Sequence, residues 1–109
     1  MTMNTMRRFR DEKNRELVTD WLIGLKDLRA RAKIQARLDR LEGGNPGDCE
    51  PVGQGVHELR IHYGPGYRVY FCYKSRQIVL LLCGGDKTNQ QADIKLAIAC
   101  KREFEEKTK

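Results

Sequence analysis

The spacing of apolar residues changes along this chain, and each change marks an element. Leu17, Trp21, Leu25 and Leu28 recur at helical spacing, predicting an amphipathic helix over residues 14–28. Ala30, Ile34, Leu38 and Leu41 continue that spacing to Glu42, where Gly43 and Gly44 stop it. The period then falls to two. VHELRIHYGPGYRVYFCY, residues 56–73, forms two alternating segments about a Gly-Pro-Gly turn, the pattern of a β-hairpin. QIVLLLC, residues 77–83, is apolar on both faces and reads as a central strand. Ile94, Ala97, Ile98 and Phe104 return to helical spacing in a final helix, and a short first strand is expected over residues 6–10. Residues 43–55, rich in glycine and turn formers, read as a connection. The predicted order is β-α-α-β-β-β-α. This is an α+β domain with a two-helix hairpin packed on a mostly antiparallel four-stranded sheet. At 109 residues the chain can build one core but not two.

The hairpin carries the first candidate chemistry. With residues 64–66 as its loop, Tyr63 faces Tyr67, Ile61 faces Val69 and Leu59 faces Phe71, making one apolar face. Arg60, His62, Arg68 and Tyr70 then occupy the other, with Arg60 and Arg68 as diagonal neighbours about 7–8 Å apart or less. Like charges that close destabilise unless something negative lies between them, and a phosphate suits two guanidinium forks. Pairing with Glu58 and other acids on a solvated face is the simpler alternative. His62 has the right proton chemistry near neutral pH, though an idle exposed histidine fits the pattern equally. Tyr70 offers a ring for base stacking or, alternatively, for packing against a helix.

The stretch after the central strand, GGDKTNQQADI, sets Lys87 between a strand end and a helix start, a position suited to an anion, although spacing alone fits a solvated Asp86/Lys87 turn at least as well. Gly84 and Gly85 allow a tight turn or close approach of another chain, and Thr88 and Gln91 have capping-box spacing. Arg29, Lys33, Arg37 and Arg40 add a basic stripe on the second helix, either a solvated face or a track for a phosphate backbone. Lys and Arg total 21 against 15 acids, a formal charge of +6 that favours a polyanionic partner and says nothing about fold.

Other chemistries find no support. The chain has no P-loop, GxGxxG or HExxH motif, and its four cysteines show no metal-like spacing. No metal or cofactor is expected. No disulfide framework, membrane span or signal peptide is apparent, so a reduced cytoplasm is the expected location.

Three segments read in order resemble the RelE/ParE superfamily of toxin–antitoxin toxins, and within it the HigB-like addiction module killer proteins of phage-related origin. They are WLIGLKDLRARAKIQARLDRLEGGNPGD, GVHELRIHYGPGYRVYF and LLLCGGDKTNQQADIKLA. The resemblance implies a growth-inhibiting toxin silenced by a cognate antitoxin, a small helix-turn-helix protein encoded beside it. It further implies cleavage of mRNA on the ribosome. Arg68 matches the family's GYR arginine, Lys87 the lysine after the last strand, and Arg60 the basic residue of the preceding strand. These three are the expected catalytic set, with His62, Tyr70, Arg29, Lys33, Arg37 and Arg40 as substrate contacts. Asn89 and Ala92 depart from the branch's pattern, and no C-terminal tyrosine or histidine matches the one some members use. A ParE-like gyrase inhibitor and an inactive antitoxin- or RNA-binding member are the alternatives. Because Arg68 is placed on a polar face, Arg68→Ala is expected to abolish growth arrest without disturbing the fold.

Overall fold

The computed structural model describes residues 3–108. Its elements are β1 (Thr5–Arg8), α1 (Leu17–Gly24), α2 (Leu28–Glu42), β2 (Cys49–Gly53), β3 (Val56–Ile61), β4 (Tyr67–Ser75), β5 (Ile78–Asp86), one 3-10 turn (Lys87–Asn89) and α3 (Gln90–Lys107). The mixed sheet runs β1-β5-β4-β3-β2, with β1 parallel to β5 and the other pairs antiparallel.

The expected four strands are thus five. β2 lies in the segment read as a connection, because CEPVG has neither alternation nor an apolar run and is defined only by its pairing with β3. Gln54 and Gly55 join the two strands with φ of 56° and 81°. Two positive φ values in a two-residue loop give the turn whose twist matches a hairpin, and asparagine occupies its first position far more readily than glutamine. Gln54→Asn is expected to stabilise the protein by about 0.5 kcal/mol, seen as a higher urea midpoint at unchanged slope.

α1 is shorter than its periodicity suggested. It stops at Gly24, and the Asp27 carboxylate accepts the backbone N–H groups of Arg29 and Ala30, starting a separate helix. The inward residues are therefore Val18 and Leu22, with Trp21 half-buried, whereas Leu28 is exposed. On α2 the predicted stripe holds: Ala30, Ile34, Leu38 and Leu41 are all buried.

The helix pair covers one sheet face, where it meets Leu59, Ile61, Tyr67, Val69 and Phe71. The hairpin's opposite face was expected to be polar and instead joins the second apolar face of the central strand in a core under α3. Tyr70, Cys72, Leu80, Leu82 and Cys83 pack there with Ala97 and Cys100. A bulge skips Leu82 in the β4–β5 register, which lets consecutive residues Leu82 and Cys83 both join that core. A two-helix hairpin on a sheet thus describes only half of the fold. The α3 side is the one that shapes the candidate site.

Candidate functional site

The β3–β4 loop spans residues 62–66, longer than the expected 64–66. Ile61 pairs with Tyr67, Leu59 with Val69, and Arg60 directly with Arg68. A slip of two residues keeps every side chain on its expected face but makes the arginines facing rather than diagonal neighbours. β5 extends the row, so that Arg60, Arg68 and Gly85 lie side by side, with Glu58, Tyr70 and Cys83 in the row behind.

Gly84 and Gly85 are extended strand residues, not a turn. A Cβ on Gly84 would stand within 3 Å of three atoms of the Trp21 ring, and one on Gly85 would collide with the Asp93 carboxylate. The first glycine admits α1 and the second admits α3, so both serve close packing on opposite faces. Burial pushes the Asp93 carboxyl up, with Asp86 adding to the effect. Asp86 accepts the Thr88 backbone N–H at 2.8 Å, so the cap expected of Thr88 belongs to Asp86.

Beneath Arg68 lies Glu58, which is 1% exposed and the one buried charged residue among those described. Its Oε2 accepts the Tyr70 hydroxyl at 3.1 Å and the Gln90 side-chain amide at 2.8 Å, and lies 3.3 Å from Arg68 Nε. That last approach is near enough for an ion pair, yet too misaligned for a hydrogen bond. Arg68 Nη1 donates to the Gly66 carbonyl at 3.3 Å, and Nη2 has no protein partner among the described residues. Tyr70 is fully buried and cannot offer its ring to a base. Burial, reinforced by the Glu58 carboxylate, pushes its phenol far above the usual range.

Arg60, His62, Tyr63, Gly66, Arg68 and Lys87 line a cleft of about 390 Å³. A Cβ on Gly66 would lie 3.8 Å from both Arg68 Nη1 and Lys87 Cβ, at ordinary van der Waals distance. The two residues expected to act together therefore border one backbone position, Arg68 with its guanidinium and Lys87 with the base of its side chain. Lys87 is exposed and has no carboxylate within ion-pair distance among the described residues. Lys33 reaches the rim from α2, its ammonium 5.2 Å from the centre of the Tyr63 ring.

Three of the remaining candidates, Arg60, His62 and Arg37, are committed elsewhere. Arg60 pairs with Asp48 at 3.2 Å and Glu50 at 2.9 Å, and the bond to Glu50 is the main influence raising its already high pKa. His62 also pairs with Asp48, and that contact, ahead of Arg60, holds the Asp48 carboxyl below the usual carboxylate range. Arg37 donates to the backbone carbonyls of Arg60, Pro46 (3.0 Å) and Asp48 (3.2 Å), clamping β3 and the loop before β2 to α2. Burial, with Arg40 nearby, lowers the Arg37 pKa. Arg29 and Arg40 are exposed on α2, and Arg40 approaches Gly47. The repulsion between Arg60 and Arg68 is thus already offset by Asp48, Glu50 and Glu58. Their proximity does not in itself call for a phosphate, and the surface is less purely cationic than expected. What stays open to an anion is the outer edge of Arg68 together with Lys87.

Sequence reasoning missed Gln90 and Asp48 as parts of this arrangement, and it offered Glu58 as a partner of the arginines only on a solvated face, whereas the pair with Arg68 is buried. Glu58 carried a usable signal, since it shares the alternation phase of Val56, Tyr70 and Cys72. Among the described residues no cluster of His, Cys, Asp and Glu forms a metal-binding set, and no helix is long and apolar enough to cross a membrane. An uncharacterized protein of Haemophilus influenzae is 56% identical over 77 residues, covering 71% of this chain and 78% of the relative. The sequence profile of the phage-derived Gp49-like proteins (DUF891) matches residues 20–104, which include α2, the cleft and most of α3. With the match spanning most of its length, this chain belongs to the phage-derived Gp49-like family.

Proposed function

We propose that this protein is the toxin of a type II toxin–antitoxin pair of the RelE/ParE kind, close to the HigB-like branch, and that it cleaves mRNA on the ribosome. The observation carrying this reading is that Arg68 and Lys87 line the same open cleft beside Gly66. Family membership is compatible with it. The cleft volume of about 390 Å³ would admit a nucleotide-sized group.

In this mechanism the 2′-hydroxyl of the mRNA attacks the adjacent phosphorus. The P–O5′ bond breaks, leaving a 2′,3′-cyclic phosphate and a 5′-hydroxyl. Arg68 stabilises the charge gathering on the phosphoryl oxygens, a contribution of about 3–4 kcal/mol for a well-placed donor. Lys87 is exposed, which suits it to a second electrostatic contact rather than to a base, a role that needs burial. Arg60, held by two carboxylates, shapes the cleft wall more than it binds substrate. The cleft residues supply charge more than proton transfer, so alignment of the hydroxyl falls to the ribosome. The silencing partner is a helix-turn-helix antitoxin that covers this cleft or blocks docking on the ribosome.

A gyrase-directed toxin would act through a protein interface and leave translation intact. Purified protein is expected to stop translation in a cell-free extract and to leave DNA supercoiling by gyrase unchanged. The reverse pattern overturns the mRNA reading in favour of the gyrase one.

A further inference from the structure

We propose that Glu58 is a positioning residue for the cleft, holding the Arg68 guanidinium at its working angle and tying it to the first turn of α3 through Gln90. Burying a carboxylate is costly, and folding tolerates it only with partners. Glu58, on β3, has three, from two other elements: Arg68 and Tyr70 on β4, and Gln90, the first residue of α3. An apolar residue would fill this place in the α3-side core without that cost, as Val56 does on the same strand phase. The expensive group instead lies directly under the arginine that faces the cleft.

The hydrogen bonds show what Glu58 constrains. Two well-formed bonds, from Tyr70 and Gln90, immobilise the carboxylate, and its attraction to Arg68 Nε is purely ionic. Arg68 is therefore held by charge at its inner edge, while Nη2 stays available for a ligand. Support of this kind is what keeps a charged contact within reach of productive geometry.

Glu58→Gln keeps size and an acceptor for Tyr70 and Gln90 but removes the charge. Arg68 is then free to meet a phosphate in several poses. Binding of a labelled polyuridylate oligonucleotide is expected to tighten by about two- to fivefold, because Arg68 no longer shares its charge with a carboxylate and can turn fully to the phosphate. Cleavage of ribosome-bound mRNA, which rests on the reading above, is expected to slow about tenfold or more as orientation is lost. Loss of folded protein alone cannot tighten binding, and thermal melts fix each variant's folded fraction. In an Arg68→Ala background, Glu58→Gln should change neither quantity. Equal effects in both backgrounds would mean that Glu58 acts independently of Arg68, and would overturn the inference. Coupling in the binding cycle without any cleavage by the wild type sustains the Glu58 role and overturns the endoribonuclease reading. Cleavage by the wild type with additive effects does the opposite.

Discussion

Arg68→Ala is expected to damage the protein twice, in stability and in activity, contrary to the simple expectation from strand alternation. The Arg68 side chain is only 12% exposed, and its loss leaves Glu58 as a buried carboxylate without a counter-charge. Breaking a buried ion pair from one side costs about 3–5 kcal/mol. The lower end applies here, because Tyr70 and Gln90 still donate to Glu58. Denaturant melts should therefore show a loss of about 3 kcal/mol, much of it recovered in the Glu58→Gln/Arg68→Ala double variant. Activity should fall by about 10²-fold or more and stay low in the double variant, because the charge facing the cleft is still missing. Arg68→Lys keeps the charge but loses the planar fork, so it should be more stable than the alanine variant and still impaired. A fully stable, fully active Arg68→Ala protein would remove Arg68 from both roles.

The second large effect concerns packing. Gly84→Ala is expected to cost about 2–3 kcal/mol, or roughly 10 °C in Tm, because the new methyl would enter the space of the Trp21 ring. That ring packs edge-on against Tyr67, 6.2 Å between centroids, so retreating from the methyl would disturb this contact. Shrinking the obstacle with Trp21→Leu should restore part of the loss in a Gly84→Ala background. Gly24→Ala is the matching control, since nothing lies within 4 Å of a Cβ built there. Equal melting temperatures for Gly84→Ala and wild type would show that α1 can shift outward at little cost.

Much of the layout was legible before any coordinates. Ala30, Ile34, Leu38 and Leu41 announced the α2 stripe, and the hairpin alternation assigned Leu59, Ile61, Val69 and Phe71 to their shared face. Period alone fixes a face but not a register, which is why the Arg60–Arg68 geometry was misjudged by two residues. β2 escaped notice because a short edge strand carrying a proline relies on its neighbour for definition. Gly84 and Gly85 looked like punctuation, since a sequence cannot tell a glycine needed for a turn from one needed to admit a tryptophan and an aspartate.

The candidate site was legible in its cations and, among its acids, only in Glu58, whose burial was not foreseen. GYR and GGDK pointed to Arg68 and Lys87, and the fold brings both to Gly66. Tyr70 was misplaced because alternation reports two faces without saying whether either meets water. α3, distant in sequence, turns its face into core. Arg37 reads as one more charge on a stripe, and only the three-dimensional path of β3 and the loop before β2 gives it carbonyls to hold.

The central claim, that Arg68 and Lys87 promote cleavage of ribosome-bound mRNA, is tested most directly by the chemistry of the cut ends. Purified protein is added to translating ribosomes and to the same mRNA alone, and the fragments are resolved and their termini identified. A parallel ribosome-free arm includes EDTA. The expected result is efficient cutting only with ribosomes, fragments ending in 2′,3′-cyclic phosphate and 5′-hydroxyl groups, weak cutting of free RNA that EDTA does not change, and strong loss with Lys87→Glu. Efficient cleavage of free RNA that EDTA abolishes, or 5′-phosphate ends, would contradict it.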